Sequence, residues 1–359
     1  MFSTKSAHGA SGGDVTPVKE AGPLTHETRL PSLAVEPGEP RVAEAVTSRI
    51  EAMLESLYPT VDVAPFHNVG HARETRDHAL RFAARAREYG VDVDCVALEQ
   101  AALLHDARYD IAPSSMALPS REDVHAFFAY NVLRSQGADD RHALKVARII
   151  MGTNSMIEPQ SIEEKILRAA DLFGFSAPYD VFREGGQRLY QEMYSLSGVM
   201  EPVPYSEFAR KQLSHLSLYL WPALDITPSY NNPRGQSGWH EGALTNLIGL
   251  FRAEVCPAGK VVADLTGDLT DKVWREALVG DSLVVRVHRD QSVREAMLAD
   301  MRSVAEGITP KPPVFVVPGG PEGSPLPRAS CDIVITKGGA LSAEAQRVLA
   351  PGGRVLAAV

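Results

Sequence analysis

Apolar positions recur every three or four residues from about Arg41 onward. Val42, Val46, Ile50, Met53, Leu54 and Leu57 fall on one stripe, the period of a helix with a single buried face. A second helix is predicted from about His67 to Tyr89, in which His67 and His71, four apart, would share a face. Leu98 to His105 is short and almost wholly apolar, so it reads as a helix buried nearly all round. Further helices are predicted over about 121–136, 139–151, 161–173, 178–195 and 203–221. Gly137, Gly152 and Gly174 fall near three of their ends, where a left-handed cap is favoured. Nothing up to Trp221 alternates with a period of two, so this half is expected to be all-α.

The texture changes after a turn-rich stretch from Asn231 to Gly238. Lys260 to Leu265, Ser282 to Val287, Val314 to Val317, Asp332 to Thr336 and Arg354 to Ala358 read as strands. Helical stretches near 271–279, 291–305 and 341–349 separate most of them. Strands alternating with helices predict a small parallel-sheet α/β domain. The expected organisation is multidomain: a flexible tail over 1–40, a helical bundle over 41–225, a linker and helix over 226–254, and the α/β domain over 255–359. The tail is rich in Gly, Ser, Thr and Pro and lacks the apolar periodicity needed to offset ordering entropy.

Composition narrows the function classes. A net charge of −9 argues against a dedicated nucleic-acid binder. No apolar run approaches the ~20 residues needed to span a bilayer, and the first residues carry no apolar signal segment. Cys95, Cys256 and Cys331 are widely spaced and form no C-x-x-C pair, so a disulfide framework or a thiolate zinc site is not expected. A reducing, cytoplasmic location follows as the expectation. The oligomeric state is left open, with a homodimer among the choices.

The chemistry concentrates in three segments. Phe66-His67-Asn68-Val69-Gly70-His71 opens the second helix, Leu104-His105-Asp106-Ala107-Arg108-Tyr109-Asp110 follows the apolar helix, and Ala170-Asp171-Leu172-Phe173-Gly174 closes a later one. His71, His105, Asp106 and Asp171 supply two imidazoles and two carboxylates, a set suited to a divalent metal with positions left for water. Such a metal lowers the pKa of bound water and polarises a phosphoryl oxygen.

These segments, with Glu122 to Gly137 and Ile149 to Thr153, resemble the HD-domain metal-dependent phosphohydrolases, whose signature is H…HD…D on a helical bundle; the resemblance covers about residues 41–220. It implies His71, His105, Asp106 and Asp171 as ligands of one divalent ion, with Mn, Mg, Fe, Co and Zn all admissible. Asp106 could bridge the metal and its water. It implies His67 as general acid or phosphate contact. Asn68, Arg73, Arg108, Lys165 and Arg168 are candidates to orient or neutralise a substrate. Some members hold two metals with two further histidines. His125 and His142 lie in the right interval, but Thr153 stands where a ligand histidine is expected, which favours one ion.

The C-terminal part resembles the Rossmann-like domain of S-adenosylmethionine-dependent methyltransferases, through Cys331 to Ile335 and Arg347 to Leu356. Its first motif departs from that family's D/E-x-G-x-G: Thr266 and Asp268 replace glycines after Asp264. Beyond the second strand His288 stands where an acidic residue is expected, with Asp290 two further on, and the family's sixth and seventh strands are missing. It reads as a degenerate, truncated member used for packing, dimerisation or sensing, with no cofactor residues assigned. The leading expectation is therefore metal-activated hydrolysis of a small phosphorylated substrate, a phosphomonoester or phosphodiester and by family habit a nucleotide. A di-iron oxygenase on the same bundle and a metal-stabilised, non-enzymatic scaffold are the alternatives.

Overall fold

The first apolar stripe forms α1 (Pro40–Leu57) in a computed structural model that describes residues 40–154, 157–197, 203–219, 239–267, 282–305, 313–319, 323–338 and 341–358. The expected tail, most of the linker, the helix near 271–279 and Asp268 lie outside the described residues. The helical half continues with α2 (Val69–Glu88), α3 (Cys95–Leu104), α4 (Arg121–Ser135), α5 (Asp140–Met151), α6 (Ile162–Asp171), α7 (Tyr179–Ser197), α8 (Tyr205–Tyr219) and α9 (Trp239–Leu250).

Local chemistry sets several starts. Asn68, Asp94, Ser120, Asp139 and Ser161 each accept a hydrogen bond from a backbone N–H two or three residues ahead, a cap worth about 1 kcal/mol. Two boundaries differ from the periodicity for this reason. Asp94 draws the start of α3 back to Cys95, and Asn68, with extended backbone (φ −122°, ψ −179°), delays α2 to Val69. His67 is therefore not one helical turn before His71; it stands in the entry loop ahead of the cap.

Helix α3 is the hub. Ala97, Leu98, Gln100, Ala101, Ala102, Leu103 and Leu104 are all buried, and α1, α2, α5 and α6 pack around it. Fully burying each of its leucines contributes roughly 1.5–3 kcal/mol. Gln100, the polar exception, is satisfied: its Nε2 donates to Thr47 Oγ1 at 2.9 Å and its Oε1 pairs with His142 Nε2 at 2.7 Å. Because α3 ends at Leu104, the next two residues, His105 and Asp106, are delivered to the bundle interior.

Helix α9 seats on the turn after α6. Buried Trp239 donates from Nε1 to Phe173 O at 3.2 Å, and Asn246 Nδ2 donates to the carbonyls of Phe175 and Ala177. After a π-helical turn over Phe251–Val255 come β1 (Lys260–Asp264), β2 (Ser282–His288), α10 (Gln291–Ala305), β3 (Val314–Pro318), β4 (Cys331–Lys337), α11 (Ala343–Val348) and β5 (Leu349–Ala358). All described pairings are parallel and the strand order is β3-β2-β1-β4-β5, the doubly wound arrangement whose order reverses at β1 and β4. Alternate residues face opposite sides. Val261, Ala263, Val285 and Phe315 join the apolar core shared with the helical half, while Val262, Val284, Val314 and Val316 pack with Met297 and Met301 of α10.

At the reversal point, Asp264 is consumed by its own chain. Its Oδ1 accepts from Thr266 N at 3.0 Å and Thr266 Oγ1 at 2.6 Å, and its Oδ2 accepts from Arg286 Nε at 2.8 Å, with both ionic partners buried. The sheet is that of doubly wound folds in general, and among the described residues nothing in it singles out the methyltransferase family.

Gly137 adopts the expected left-handed conformation (φ +89°), but Gly152 (φ −60°) and Gly174 do not. Gly152 is required for a different reason: a Cβ there would lie 2.7 Å from Glu164 Cβ and 2.9 Å from Ile149 O, where α5 ends against α6. Gly152→Ala is accordingly expected to destabilise the protein by about 1–3 kcal/mol through overpacking, read as a lower urea midpoint. An unchanged midpoint would show that the α5–α6 contact relaxes at no cost.

Candidate metal centre

Three helix ends converge. His71 lies in the first turn of α2, His105 and Asp106 follow α3, and Asp171 is the last residue of α6. One ligand atom from each of these four lies within 4.8 Å of every other. His71 Nε2 is 3.0 Å from Asp171 Oδ1 and 3.5 Å from Asp106 Oδ2; His105 Nε2 is 3.0 Å from Asp106 Oδ2 and 3.5 Å from Asp171 Oδ1.

The state of His105 tests whether these residues fit a metal. Its Nδ1 donates to Ala102 O at 2.9 Å; a carbonyl only accepts, so Nδ1 carries the proton. Nε2 then faces the two carboxylates. It is buried and makes no aligned hydrogen bond despite the 3.0 Å approach of Asp106. A ring nitrogen and two carboxylate oxygens turned toward one point need a cation between them, a proton or a metal, and a divalent ion suits that donor set. The Ala102 carbonyl fixes the ring from behind, as outer partners of metal-bound histidines do.

Without a metal, protons must fill that role. Burial alone would lower the pKa of His71, but Asp106 and Asp171 override it and raise it to about 9. His105 is likewise raised well above the ordinary range against the effect of burial, by the same two carboxylates. Burial would raise Asp106 and Asp171, yet the facing imidazoles hold Asp106 well below the usual carboxylate range and Asp171 also below it.

A second layer surrounds the four. His67 Nε2 is 4.0 Å from Asp106 Oδ2, while its Nδ1 bonds Glu192. Glu192 is buried on α7 and its other oxygen accepts from the backbone N–H of Phe66 at 2.9 Å and of His67 at 2.8 Å. The His67 ring stacks on Tyr109 with centroids 3.8 Å apart, and the Arg121 guanidinium lies 4.2 Å from the centroid of Tyr109. Tyr58 Oη donates to Leu103 O at 3.0 Å, and burial together with the charge of Asp106 pushes its pKa well up. His125 is buried with Nδ1 3.4 Å from Asp106 Oδ1; burial lowers its pKa to about 4, so it is neutral at pH 7.

The other candidates go elsewhere. Asn68 spends its side chain on capping α2 and on the carbonyls of Ala64 and Pro65. Arg73 pairs with Glu51 and Glu55 of α1. Arg108 pairs with Asp110 and has φ +62°, held there by its N–H bond to Leu57 O at 2.9 Å. Lys165, six residues before Asp171, sits about 240° round α6 from it. Arg168 does not present a cation to the cluster: its guanidinium is buried under the α5–α6 loop and donates to the carbonyls of Gly152 at 2.7 Å and Asn154 at 2.6 Å. His142 belongs to the α3–α5 packing through Gln100, and Thr153 Oγ1 bonds Ile150 O.

Glu192 and Tyr58 escaped the sequence reading. For Glu192 a signal exists: Phe182, Gly185, Leu189, Glu192 and Leu196 recur at three and four, so a carboxylate occupies a position that periodicity assigns to the core. Tyr109 lay inside the His-Asp segment but carried no pattern of its own.

Residues 64–174 match the HD domain family. The chain thus carries an HD domain, the mark of a superfamily of metal-dependent hydrolases, and its three convergent segments fall inside the matched span. No curated protein matches the chain. Among the described residues, no helix is long and apolar enough to cross a membrane.

The raised histidines make the metal-free protein sensitive to alkali. Below their ordinary pKa of ~6.5 both rings are protonated in the folded and unfolded chains, and the ion pairs contribute in full. As pH rises through about 9 the folded chain loses the His71 proton, and that contribution disappears. Urea unfolding in chelator is expected to show lower stability at pH 9 than at pH 6.5, with a smaller loss after metal is restored. Binding of the metal at pH 7 is expected to release protons, measured by calorimetry in buffers of different ionisation enthalpy. Buffer-independent heats would contradict the protonated cluster.

Proposed function

We propose, from the HD domain at residues 64–174, that this protein is a phosphohydrolase using one divalent ion held by His71, His105, Asp106 and Asp171 to cleave a phosphomonoester or phosphodiester. The observation that carries this reading is the buried, unbonded Nε2 of His105 facing two carboxylates. A divalent ion held there would lower the pKa of a bound water and polarise a phosphoryl oxygen.

The remaining chemistry belongs to the chain. Glu192 takes the Nδ1 proton of His67 in a hydrogen bond and the Tyr109 ring fixes the imidazole plane. Nε2 is thereby left on the side of Asp106, placed to hold or give a proton at the leaving oxygen of a phosphoester. Glu192 acts through His67 and is a positioning residue. His105 is buried and His67 and His71 are largely shielded, which limits competition from bulk water for these hydrogen bonds and strengthens each electrostatic contact.

A second reading has one observation in its favour. His125 faces the other oxygen of Asp106, at 3.4 Å, so an iron pair sharing Asp106 would make the protein an oxygenase. Metal analysis separates the two: one divalent ion per chain supports the hydrolase, and a pair of irons supports the oxygenase.

His105→Ala is expected to lose both the ion and phosphoesterase activity. His67→Ala should retain the ion and lose about 10²–10⁴ in kcat, the usual contribution of a positioned proton donor. Glu192→Gln should lower kcat about tenfold with little change in KM and retain the ion. Metal-replete protein inert toward every phosphoester would refute the hydrolase, and an unchanged kcat, or a loss seen in KM alone, in Glu192→Gln would refute the role given to Glu192.

A further inference from the structure

A cavity of about 440 Å³ opens beside the four-residue cluster, with His71 and Asp171 at one end. The rest of its wall is largely apolar, built from Phe66, Phe175, Phe182, Leu189, Tyr205 and Phe208. Such a volume encloses a group the size of a small organic ligand. Its charges are of the wrong kind for a polyphosphate. Glu74 and Glu184 stand in the wall, and Arg188, the one Lys or Arg among the described lining residues, is paired with Glu184. Arg73, Arg108 and Arg168, the arginines expected from sequence to neutralise a substrate, are bonded elsewhere.

Helix α7 adds an independent observation. Gly185 lies in the helix interior and lines the cavity, where glycine costs stability relative to alanine. Packing does not demand it, because a Cβ there would meet only Phe66 Cε2 at 3.6 Å, an ordinary contact. Its neighbour Gly186 differs, since a Cβ there would meet Tyr205 Oη at 3.0 Å. The missing side chain at 185 leaves open the space that any larger residue would fill.

We infer that the substrate is a phosphate ester of a neutral, largely apolar alcohol: its phosphoryl group lies at the His71–Asp171 end and its hydrocarbon part fills the cavity beneath α7 and α8. This departs from the nucleotide expected by family habit, and it rests on the phosphohydrolase reading only for turnover, not for binding. The reaction is ordinary hydrolysis. The phosphorus–oxygen bond to the alcohol breaks, water supplies the new oxygen on phosphorus, and the alcohol leaves with a proton.

The test is a homologous series in which only chain length changes. The metal-loaded protein is titrated with methyl-, butyl- and octylphosphonate, which cannot be hydrolysed at the carbon–phosphorus bond, and is assayed with the matching alkyl phosphates and adenosine monophosphate. Affinity and kcat/KM are expected to rise about fourfold per added methylene until the cavity is full. Gly185→Leu should flatten the series, and Gly185→Ala should raise the melting temperature while weakening octylphosphonate. Octylphosphonate binding no tighter than methylphosphonate, or adenosine monophosphate turned over ahead of octyl phosphate, would overturn the inference. A chain-length dependence in binding with no turnover of any ester would leave the cavity assignment standing and remove the phosphohydrolase.

Discussion

Charge balance in a buried cluster is the constraint on which the helical half depends. Buried Asp106 and half-buried Asp171 are carboxylates set against each other across two imidazoles. Like charges so placed repel strongly in a poorly screened interior. The arrangement stands only with cations between them, protons on His71 and His105 in one state or a divalent ion in another. The raised imidazoles and depressed carboxylates express that single requirement. The scaffold is built to hold it: α3, apolar on nearly every buried position, cannot leave the core, so the residues at its end cannot leave either. Ligand geometry is thus fixed by hydrophobic burial, a larger and less directional force than the polar contacts it serves.

The same economy governs the arginines. A cation near the cluster would relieve the carboxylates without a metal, yet Arg73, Arg108 and Arg168 are each bound to acids or carbonyls of their own surroundings. Arg168 shows why. It sits three residues before Asp171 on α6, close enough in angle to have reached the cluster, but the loop after α5 presents the carbonyls of Gly152 and Asn154 to it instead. A buried carbonyl left unbonded is costly, and the guanidinium fork answers more than one of them. The site keeps a deficit of positive charge because loop closure has the stronger claim on the nearest cation.

Much of this was legible from the chain because period and caps are local. The apolar repeats located α1 to α8, and the alternation of strand and helix located a parallel sheet. The convergence of His71, His105, Asp106 and Asp171 could be expected because their segments carry a recognisable order. What escaped was set by contacts between segments far apart in sequence. His67 was read as a helical neighbour of His71, whereas the Asn68 cap moves it into a loop, where Glu192, 125 residues on, fixes its ring. Gly152 was read as a left-handed cap, whereas the Cβ of Glu164 decides its identity. No periodicity reports which distant backbone will pass within van der Waals contact.

Helices beyond the matched span complete the site. The HD domain supplies the four clustered residues, but α7 supplies Glu192 to His67 and, with α8, much of the cavity wall. The four clustered residues and much of the adjoining cavity wall thus come from different stretches of chain. A bundle that fixes its charged cluster through helix ends leaves its remaining helices free to vary the cavity without disturbing charge balance. Asp264 at the sheet reversal illustrates the opposite outcome. Its carboxylate is saturated by Thr266 and Arg286, so the position where doubly wound sheets expose polar groups to a ligand is here internally bonded. The sheet shares an apolar core with the helices: β3 packs on α8, and the turn after α9 bonds the start of β4 through Arg252 and Asp332, while α9 seats the turn following Asp171.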